Sequence, residues 1–245
     1  MKVIVTNSYD ETCAVIANMI KELINAKPDA KLGLATGGTP VPIYKKLIEM
    51  NKAGEVDFSR VHTVNLDEYC GIPGTHDQSY RYFMDTNLFD YINIDKKNTF
   101  VASGMGDFEA NARELEEKVR EGGAADLQLL GIGNNGHIAF NEASDHLIAV
   151  AHTEKLTEST INANARFFEK KEDVPTMAIT MGMGDILAAK KVVLAATGLA
   201  KVPAIKGLIM DDVITTQNPS TMLKMHEDAV VVIDRELADA VGYRA

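Results

Sequence analysis

Cysteine is scarce in this sequence of 245 residues, which has only Cys13 and Cys70. Neither lies in a CxxC pair or at a Cys/His spacing typical of metal ligands, which argues against a zinc site and a disulfide framework. The thiols are expected to be reduced, as they are in the cytoplasm. We therefore expect a cytoplasmic protein, and no feature of the sequence indicates a metal or a cofactor.

Basic residues and long apolar runs are also few. The sequence has 25 lysines and arginines against 35 aspartates and glutamates, for a formal net charge of -10. A surface of that charge repels nucleic acid and anionic membranes, so neither is expected as a partner. No stretch reaches the roughly 18 apolar residues of a membrane span, and residues 1–10 match neither a signal peptide nor a transit peptide. An anionic ligand would need a local positive pocket.

The pattern of apolar residues predicts an α/β fold in one domain, residues 1–245. No repeat, low-complexity segment or linker interrupts the chain. Short β-branched or apolar runs alternate with amphipathic stretches, and several runs lack the alternation of a half-exposed strand. This favours a doubly wound, mostly parallel sheet flanked by helices. The predicted strands are Lys2–Thr6, Lys31–Ala35, Val61–Leu66, Asp126–Ile132, Thr176–Thr180, Lys191–Ala196 and Ala229–Ile233.

Three motifs follow predicted strands, and such sheets bind ligands at the carboxyl ends of their strands. The first is the turn ATGGTP, residues 35–40, which contains Thr36, Gly37 and Gly38. Its glycines let a bound group approach the backbone, and the N–H groups of the following helix favour an anion. The turn matches neither a Walker loop nor a dinucleotide fingerprint, so it indicates a phosphate site without a nucleotide. A tight turn with no ligand explains the same residues equally well.

The second motif is acidic, Asp67-Glu68-Tyr69, directly after the predicted strand Val61–Leu66. A carboxylate at the end of a strand can face the cleft and act as a general base. The alternative is that Asp67 or Glu68 caps a turn.

The third motif is the glycine-rich turn GIGNNGHIAFNE, residues 131–142, which places His137 between Asn135 and Glu142. An imidazole shuttles a proton near neutral pH when a carboxylate fixes its tautomer. The other histidines lack such a frame and are interpreted as structural.

Together the motifs resemble the glucosamine-6-phosphate deaminase family. The matching segments extend from Lys2 to Asp234, and the strongest are ATGGTP, LDEYCGIPGTHDQSYRYFM (66–84) and GIGNNGHIAFNE. Residues 164–168, NARFF, look like the family's NSRFF segment, and residues 197–201, TGLAK, look like its phosphate contact. Five motifs in the same order are far more specific than any one of them.

The resemblance implies that the protein converts glucosamine 6-phosphate and water into fructose 6-phosphate and ammonia. Asp67 would move a proton from C2 to C1 of the open-chain sugar. His137, oriented by Glu142 and Asn135, would open the ring. The residues that would hold the phosphate are Thr36, Gly37, Gly38, Arg166 and Lys201.

This chain departs from the family pattern at four places. Asn135 replaces an aspartate that many members carry, Ala165 replaces a serine, and residues 143–145 replace proline and small residues after Glu142. Residues 146–155 lack the basic residues that bind an acetylated sugar phosphate in the long allosteric branch, and the tail after Asp234 is short. The resemblance therefore implies the compact, non-allosteric type.

Other functions stay open at this point. One is a galactosamine-6-phosphate deaminase, and another is a 6-phosphogluconolactonase, which would leave Asp67-Glu68-Tyr69 without a clear role. A third is a sugar-phosphate sensor domain of a repressor, which the acidic charge and the lack of a DNA-binding helix pair disfavour. Residues 144–174 are a candidate mobile lid. The expected partner is a small sugar phosphate, bound by a monomer or a homo-oligomer.

Overall fold

The computed structural model describes residues 1–244, apart from the side chains of residues 163 and 167. In this range the strands are β1 (Lys2–Thr6), β2 (Lys31–Leu34), β3 (His62–Asn65), β4 (Asp67–Tyr69), β5 (Thr99–Phe100), β6 (Leu127–Leu130), β7 (His152–Lys155), β8 (Met177–Thr180), β9 (Val192–Ala196) and β10 (Ala229–Asp234). The α-helices are α1 (Tyr9–Ala26), α2 (Val41–Lys52), α3 (Tyr80–Asn87), α4 (Phe108–Arg120), α5 (Glu158–Asn164), α6 (Met183–Leu187), α7 (Val202–Ile209) and α8 (Arg235–Val241). Short 3-10 helices cover Phe89–Tyr91, Lys96–Asn98, Ala165–Phe167, Lys171–Asp173, Leu199–Lys201 and Pro219–Met225.

The main sheet has seven strands in the order β1-β10-β9-β6-β2-β3-β5. Every pair in it is parallel. The central strands β6, β9 and β10 are buried along their whole length, which explains why their sequences are apolar without alternation. The prediction of a doubly wound, mostly parallel sheet is confirmed.

A second, smaller sheet was not distinguished by the sequence pattern. β8 forms within the predicted strand Thr176–Thr180, but it pairs antiparallel with β4 and β7 instead of joining the main sheet. Residues 67–69, expected directly after a strand, are themselves the strand β4. The two strands that the sequence pattern missed, β4 and β7, read DEY and HTEK and lack the apolar run that identifies a buried strand.

Helix α1 shows how local sequence fixes the packing of the helices. It begins after Ser8, whose hydroxyl oxygen accepts a hydrogen bond from the backbone N–H of Glu11 at 3.2 Å. Ile16, Ile20 and Ile24 recur every four residues and are all buried in the main core. No helix within residues 1–244 combines the length and the apolar character needed to cross a membrane.

Candidate active site

The strand order reverses between β2 and β6. From β2 the chain continues to β3 and β5 on one side of the sheet, and β6, β9 and β10 then lie on the other side. Ligands of such sheets bind where the order reverses, at the carboxyl ends of the strands. A cavity of about 1000 Å³ lies there, and the turns after β2 and β6 line it. Of the sequence-predicted site residues, Thr36, Gly37, Gly38, Asp67, Asn135, His137, Arg166 and Lys201 line the cavity, and Glu142 lies behind them.

The turn after β2 presents its backbone to the cavity. Gly37 has a φ of +93°, a conformation that favours glycine. No heavy atom lies within 4 Å of a Cβ built on Gly37 or Gly38, so space is open above both residues. The Tyr9 hydroxyl donates to the carbonyl of Thr39 at 2.9 Å and holds the turn from α1. The turn can therefore receive an anion on its main-chain groups.

Two cations face this turn across the cavity. Lys201 ends the 3-10 helix that follows β9, and Arg166 lies on the 3-10 helix that follows α5. Burial lowers the pKa of the Lys201 ammonium, and the charge of Arg166 lowers it further. An anion bound in the cavity would favour the charged form of Lys201. The positive pocket that this acidic chain needs for a phosphate is thus present.

Asp67 is the first residue of β4 and faces the cavity from the end of β3. Its side chain is buried, and it forms no side-chain hydrogen bond to the residues that the structure describes. Burial raises the pKa of Asp67 to about 8, and the neighbouring charge of Glu68 contributes to the rise. A carboxylate with that pKa can accept and return a proton near neutral pH.

Glu68 has a different role from its neighbour. Its Oε1 accepts hydrogen bonds from the N–H groups of Tyr69 and Tyr80 at 2.8 and 2.9 Å. Its Oε2 accepts from the Ser79 hydroxyl at 2.8 Å and the N–H of Arg81 at 3.0 Å. Three of these donors, from Ser79, Tyr80 and Arg81, lie at the start of α3, so Glu68 caps that helix. Of the alternatives for the acidic motif, the capping role fits Glu68 and the cavity-facing position fits Asp67.

The turn after β6 builds a cluster of Asn135, His137 and Glu142. The Asn135 amide donates to Oε2 of Glu142 at 2.8 Å, and its oxygen accepts from the N–H of His137 at 3.2 Å. Nδ1 of His137 lies 3.4 Å from the same Glu142 oxygen, an ion-pair contact that is long for a hydrogen bond. Because Nδ1 is buried, Nε2 is the ring nitrogen that can reach a ligand in the cavity.

Glu142 is ionised despite its burial. Burial favours the neutral acid, but His137, Thr160 and Asn135 together lower the pKa of Glu142 to about 2. Thr160, on α5, donates to the second carboxylate oxygen, Oε1. A fixed negative charge beside the imidazole orients the ring.

Gly133 leaves room for the His137 ring. A Cβ built on Gly133 would overlap the Cε1, Nδ1 and Nε2 atoms of that ring, although the backbone of Gly133 is in an ordinary conformation. The same loop contains Ala139, which has a positive φ of +51°. The structure thus assigns a steric role to a glycine that the sequence identified only as part of a turn.

Other residues that hold this loop were missed at the sequence level. The Thr180 hydroxyl, at the end of β8, accepts from the N–H of Phe140 at 3.1 Å, and the Asn141 amide donates to the carbonyl of Met181 at 2.9 Å. Thr160 holds Glu142 from α5. These partners come from elements far along the chain, so no local pattern marks them. Among the described residues, no group of three or more histidine, cysteine, aspartate or glutamate side chains is placed to hold a metal ion.

We expect Asn135→Asp to destabilise the protein. The substitution replaces the donor to Glu142 by a second carboxylate, and like charges raise each other's pKa. A lowered pKa, as at Glu142, stabilises the fold above the ordinary pKa of a glutamate, and that contribution disappears as the pH falls toward 2. Asn135→Asp removes part of this contribution, so the free energy of unfolding at pH 7 should fall by about 1–3 kcal/mol.

Urea unfolding at pH 5 and pH 7 measures the effect, with Asn134→Asp as the control. Asn134 is exposed. The Asn134→Asp variant therefore adds the same negative charge one residue away, without contact to Glu142. The free energy of unfolding of this variant should stay within about 0.5 kcal/mol of the wild-type value. Equal losses in both variants would contradict the role given to the Asn135 amide.

Comparisons with known proteins identify the family of this chain. A sequence model of the family described as glucosamine-6-phosphate isomerases/6-phosphogluconolactonase matches residues 6–232. A glucosamine-6-phosphate deaminase of Clostridium beijerinckii is 53% identical over 242 residues, covering 98% of this chain and 100% of the relative. One from a Thermoanaerobacter species is 50% identical over 242 residues, covering 98% of this chain and 95% of the relative.

Solved structures give the same result. The structure of a monomeric glucosamine-6-phosphate deaminase matches with a TM-score of 0.95 and 39% identity, over 98% of this chain and 100% of the other. A 6-phosphogluconolactonase of Thermotoga maritima matches with a TM-score of 0.75 and 19% identity, over 96% of this chain and 99% of the other, and so shares the fold. The resemblance drawn from the five motifs is confirmed, and the chain belongs to the glucosamine-6-phosphate isomerase/6-phosphogluconolactonase family.

Proposed function

We propose that this protein is an enzyme that converts glucosamine 6-phosphate and water into fructose 6-phosphate and ammonia. One observation carries the proposal: a carboxylate of raised pKa, Asp67, shares a cavity with the His137 cluster and with the cationic phosphate pocket. The relatives named above as glucosamine-6-phosphate deaminases support this reading. The sugar phosphate is the expected partner.

The phosphate group would bind between the turn after β2 and the two cations. N–H groups of Thr36, Gly37 and Gly38 supply main-chain donors, and Arg166 and Lys201 supply charge. Arginine and lysine differ in their contributions, since the guanidinium binds two phosphate oxygens at once and the ammonium acts as a point charge. Anchoring this end of the sugar fixes C1 and C2 in the cavity.

The reaction requires an open sugar chain, and the His137 cluster would open the ring. Ring opening moves a proton from the anomeric hydroxyl to the ring oxygen and leaves an aldehyde at C1. Nε2 of His137 can carry that proton because Glu142, held by Asn135, stabilises the imidazolium formed in between. We therefore assign ring opening to His137, with Glu142 and Asn135 as its positioning partners.

Asp67 would then move a proton from C2 to C1. Its carboxylate removes the C2 proton of the amino aldehyde while a proton from solvent adds to the C1 oxygen, which gives an enolamine. Return of the proton to C1 and loss of one proton from the nitrogen to solvent give an imine at C2. Water adds to the imine carbon, and the C–N bond breaks to release ammonia and leave the ketone of fructose 6-phosphate. Each step transfers protons or water, so the balance needs no other reactant.

One assay distinguishes the candidate functions. Purified protein is incubated with glucosamine 6-phosphate in D₂O, and ammonia, fructose 6-phosphate and deuterium at C1 are measured. We expect equal amounts of the two products, with deuterium at C1. Parallel incubations use galactosamine 6-phosphate and 6-phosphogluconolactone. Lactone hydrolysis without ammonia release would support a lactonase, and binding of the amino sugar phosphate without turnover would support a sensor domain.

We expect Lys201→Ala and Arg166→Ala to weaken recognition of the phosphate. A hydrogen bond to a charged group is lost in each variant, so KM for glucosamine 6-phosphate should rise about 10- to 100-fold. Arg166→Ala should also lower kcat if its segment closes over the substrate. Lys206→Ala is the control, because Lys206 is exposed on α7 and lies outside the cavity. Steady-state kinetics also compares glucosamine 6-phosphate with unphosphorylated glucosamine. Similar rates for the two substrates would contradict this phosphate site.

We also propose that residues 1–245 act as one domain and that residues 144–174 are a lid over the cavity. The lid would include α5 and Arg166, both next to the sites of chemistry. A cytoplasmic location, a monomeric or homo-oligomeric state and the absence of activation by an acetylated sugar phosphate stay predictions from the sequence.

A further inference from the structure

Thr160 is bonded to the reactive cluster but has no part in the proton transfers described above. Its hydroxyl donates to Oε1 of Glu142, 18 residues earlier in the chain. The side chain is buried, with 5% of the residue exposed. The other oxygen of Glu142, Oε2, is held from within its own loop by Asn135. The two oxygens of one carboxylate are therefore held by different elements, the turn after β6 and helix α5.

The Thr160 hydroxyl is itself held by the first turn of α5. Thr157 caps the helix, and its Oγ1 accepts from the N–H of Thr160 at 3.3 Å. The same Oγ1 donates to the Thr160 hydroxyl at 3.1 Å. The Thr160 oxygen thus accepts one hydrogen bond and donates the next, toward Glu142. Loss of this hydroxyl would remove the donor to Oε1 without removing any group from the His137 loop.

Thr160 and the proposed phosphate ligand Arg166 belong to one segment. Arg166 lies on the 3-10 helix that follows α5 directly, and both residues line the cavity. The segment packs through Ile161 and Phe168 against a small cluster that includes Tyr69, whose ring centroid lies 5.9 Å from that of Phe168. Because Thr160 and Arg166 belong to one short segment, a shift of that segment would move Arg166 and the Thr160–Glu142 contact together.

We propose that Thr160 is a positioning residue, which aligns Glu142, and through it His137, when the segment carrying Arg166 is seated on the substrate phosphate. The inference deepens the proposed function and rests on it. The substrate phosphate takes no part in the bond changes, but it would contribute to ring opening in this way. Phosphate binding energy that aligns Glu142 and His137 raises kcat and not affinity alone.

Thr160→Val and Thr160→Ser test the proposal. Valine removes the hydroxyl with little change of shape, and serine keeps it. We expect Thr160→Val to lower kcat for glucosamine 6-phosphate about 10- to 100-fold and Thr160→Ser to retain most of the activity. The dissociation constant of the open-chain amino alditol 6-phosphate, which needs no ring opening, should stay near the wild-type value in both. Asn162→Ala, at an exposed position of the same helix, is the control and should behave as the wild type.

Three results would overturn the role of Thr160. The first is a wild-type kcat in Thr160→Val, and the second is a kcat in Thr160→Ser as low as that in Thr160→Val. The third is that Thr160→Val weakens binding of the alditol phosphate by the same factor as it lowers kcat. A carboxyl NMR titration of ¹³C-labelled protein adds a readout that does not need turnover, since the pKa of Glu142 should rise in Thr160→Val and not in Thr160→Ser. If the wild type released no ammonia, the proposed function would fail, and this titration would still decide whether Thr160 acts on Glu142.

Discussion

Asp67→Asn is expected to lower turnover of glucosamine 6-phosphate by about 10²- to 10⁴-fold, the usual loss when a general base is removed. Asparagine has nearly the same shape as aspartate but accepts no proton at neutral pH. Binding should change little, because the phosphate pocket lies on other elements of the cavity. Exchange of the C2 proton into D₂O should be lost together with ammonia release. Turnover near the wild-type rate would show that another group removes the proton.

Stability measurements separate this loss from misfolding. The raised pKa of Asp67 means that its ionised form is disfavoured in the folded protein, so the fold loses stability as the pH rises from about 4 to about 8. The Asp67→Asn variant has no ionisable group at this position, so its stability does not fall for this reason as the pH rises. A pKa difference of one corresponds to about 1.4 kcal/mol, so above pH 8 the variant should be more stable than the wild type by at least about 1 kcal/mol. In the wild type, kcat/KM should rise with pH as Asp67 ionises.

Glu68→Gln is the matched control for Asp67→Asn. It removes a carboxylate from the adjacent residue, but that residue caps α3 through three hydrogen bonds and accepts a fourth from the N–H of Tyr69. We expect Glu68→Gln to lower the free energy of unfolding and to reduce turnover much less than Asp67→Asn does. A larger catalytic loss in Glu68→Gln would reverse the roles given to the two carboxylates.

Gly133→Ala is expected to lower kcat by about 10²-fold, the effect of displacing a reacting group by about 1 Å. The added methyl would occupy the position of the His137 ring, so the imidazole must move away from Glu142 or out of the cavity. Because Gly133 has an ordinary backbone conformation, alanine adds no backbone strain there. Ring opening should therefore be slower, while phosphate binding is largely kept. Steady-state kinetics and inhibition by the amino alditol 6-phosphate measure both properties.

Gly131→Ala gives the comparison for Gly133→Ala. Gly131 lies two residues earlier in the same loop, and no heavy atom lies within 4 Å of a Cβ built there. The same methyl group is thus added to the same turn without contact to the imidazole. A kcat near the wild-type value is expected. If both variants lost activity equally, the loop itself and not the His137 ring would be sensitive to the substitution.

The main sheet could be predicted because its buried strands carry their signal locally. β9 and β10 are runs of β-branched and small apolar residues, and such runs need no partner to be identified. The edge strand β5 has two residues and β7 reads His-Thr-Glu-Lys, so neither has an apolar period. These strands form because neighbouring strands supply hydrogen-bonding partners, which depends on tertiary structure.

Site residues could be predicted from the sequence where they come soon after a strand. Asp67 and His137 come shortly after β3 and β6, so the topology alone brings them to one edge of the sheet. The division of roles between Asp67 and Glu68 required the structure, since either carboxylate could cap a helix. The contact between Thr160 and Glu142 joins α5 to the loop after β6, and a pattern of neighbouring residues contains no information about it.

The first strand of the chain is completed by the last one, and this pairing bears on how the protein folds during its synthesis. Residues 2–6 of β1 pair with residues 230–234 of β10, and the Thr6 hydroxyl donates to the carbonyl of Ile233 at 3.3 Å, 227 residues away. At about 5–20 residues per second, a ribosome needs on the order of 10 seconds or more between the two strands. During that time β1 lacks its partner, and an unpaired strand edge is a template for aggregation. Long-range pairing is also slow. The native sheet can therefore close only after residues 229–234 have been made, and a nascent chain stalled before residue 229 would keep two strands, β1 and β9, without their shared neighbour.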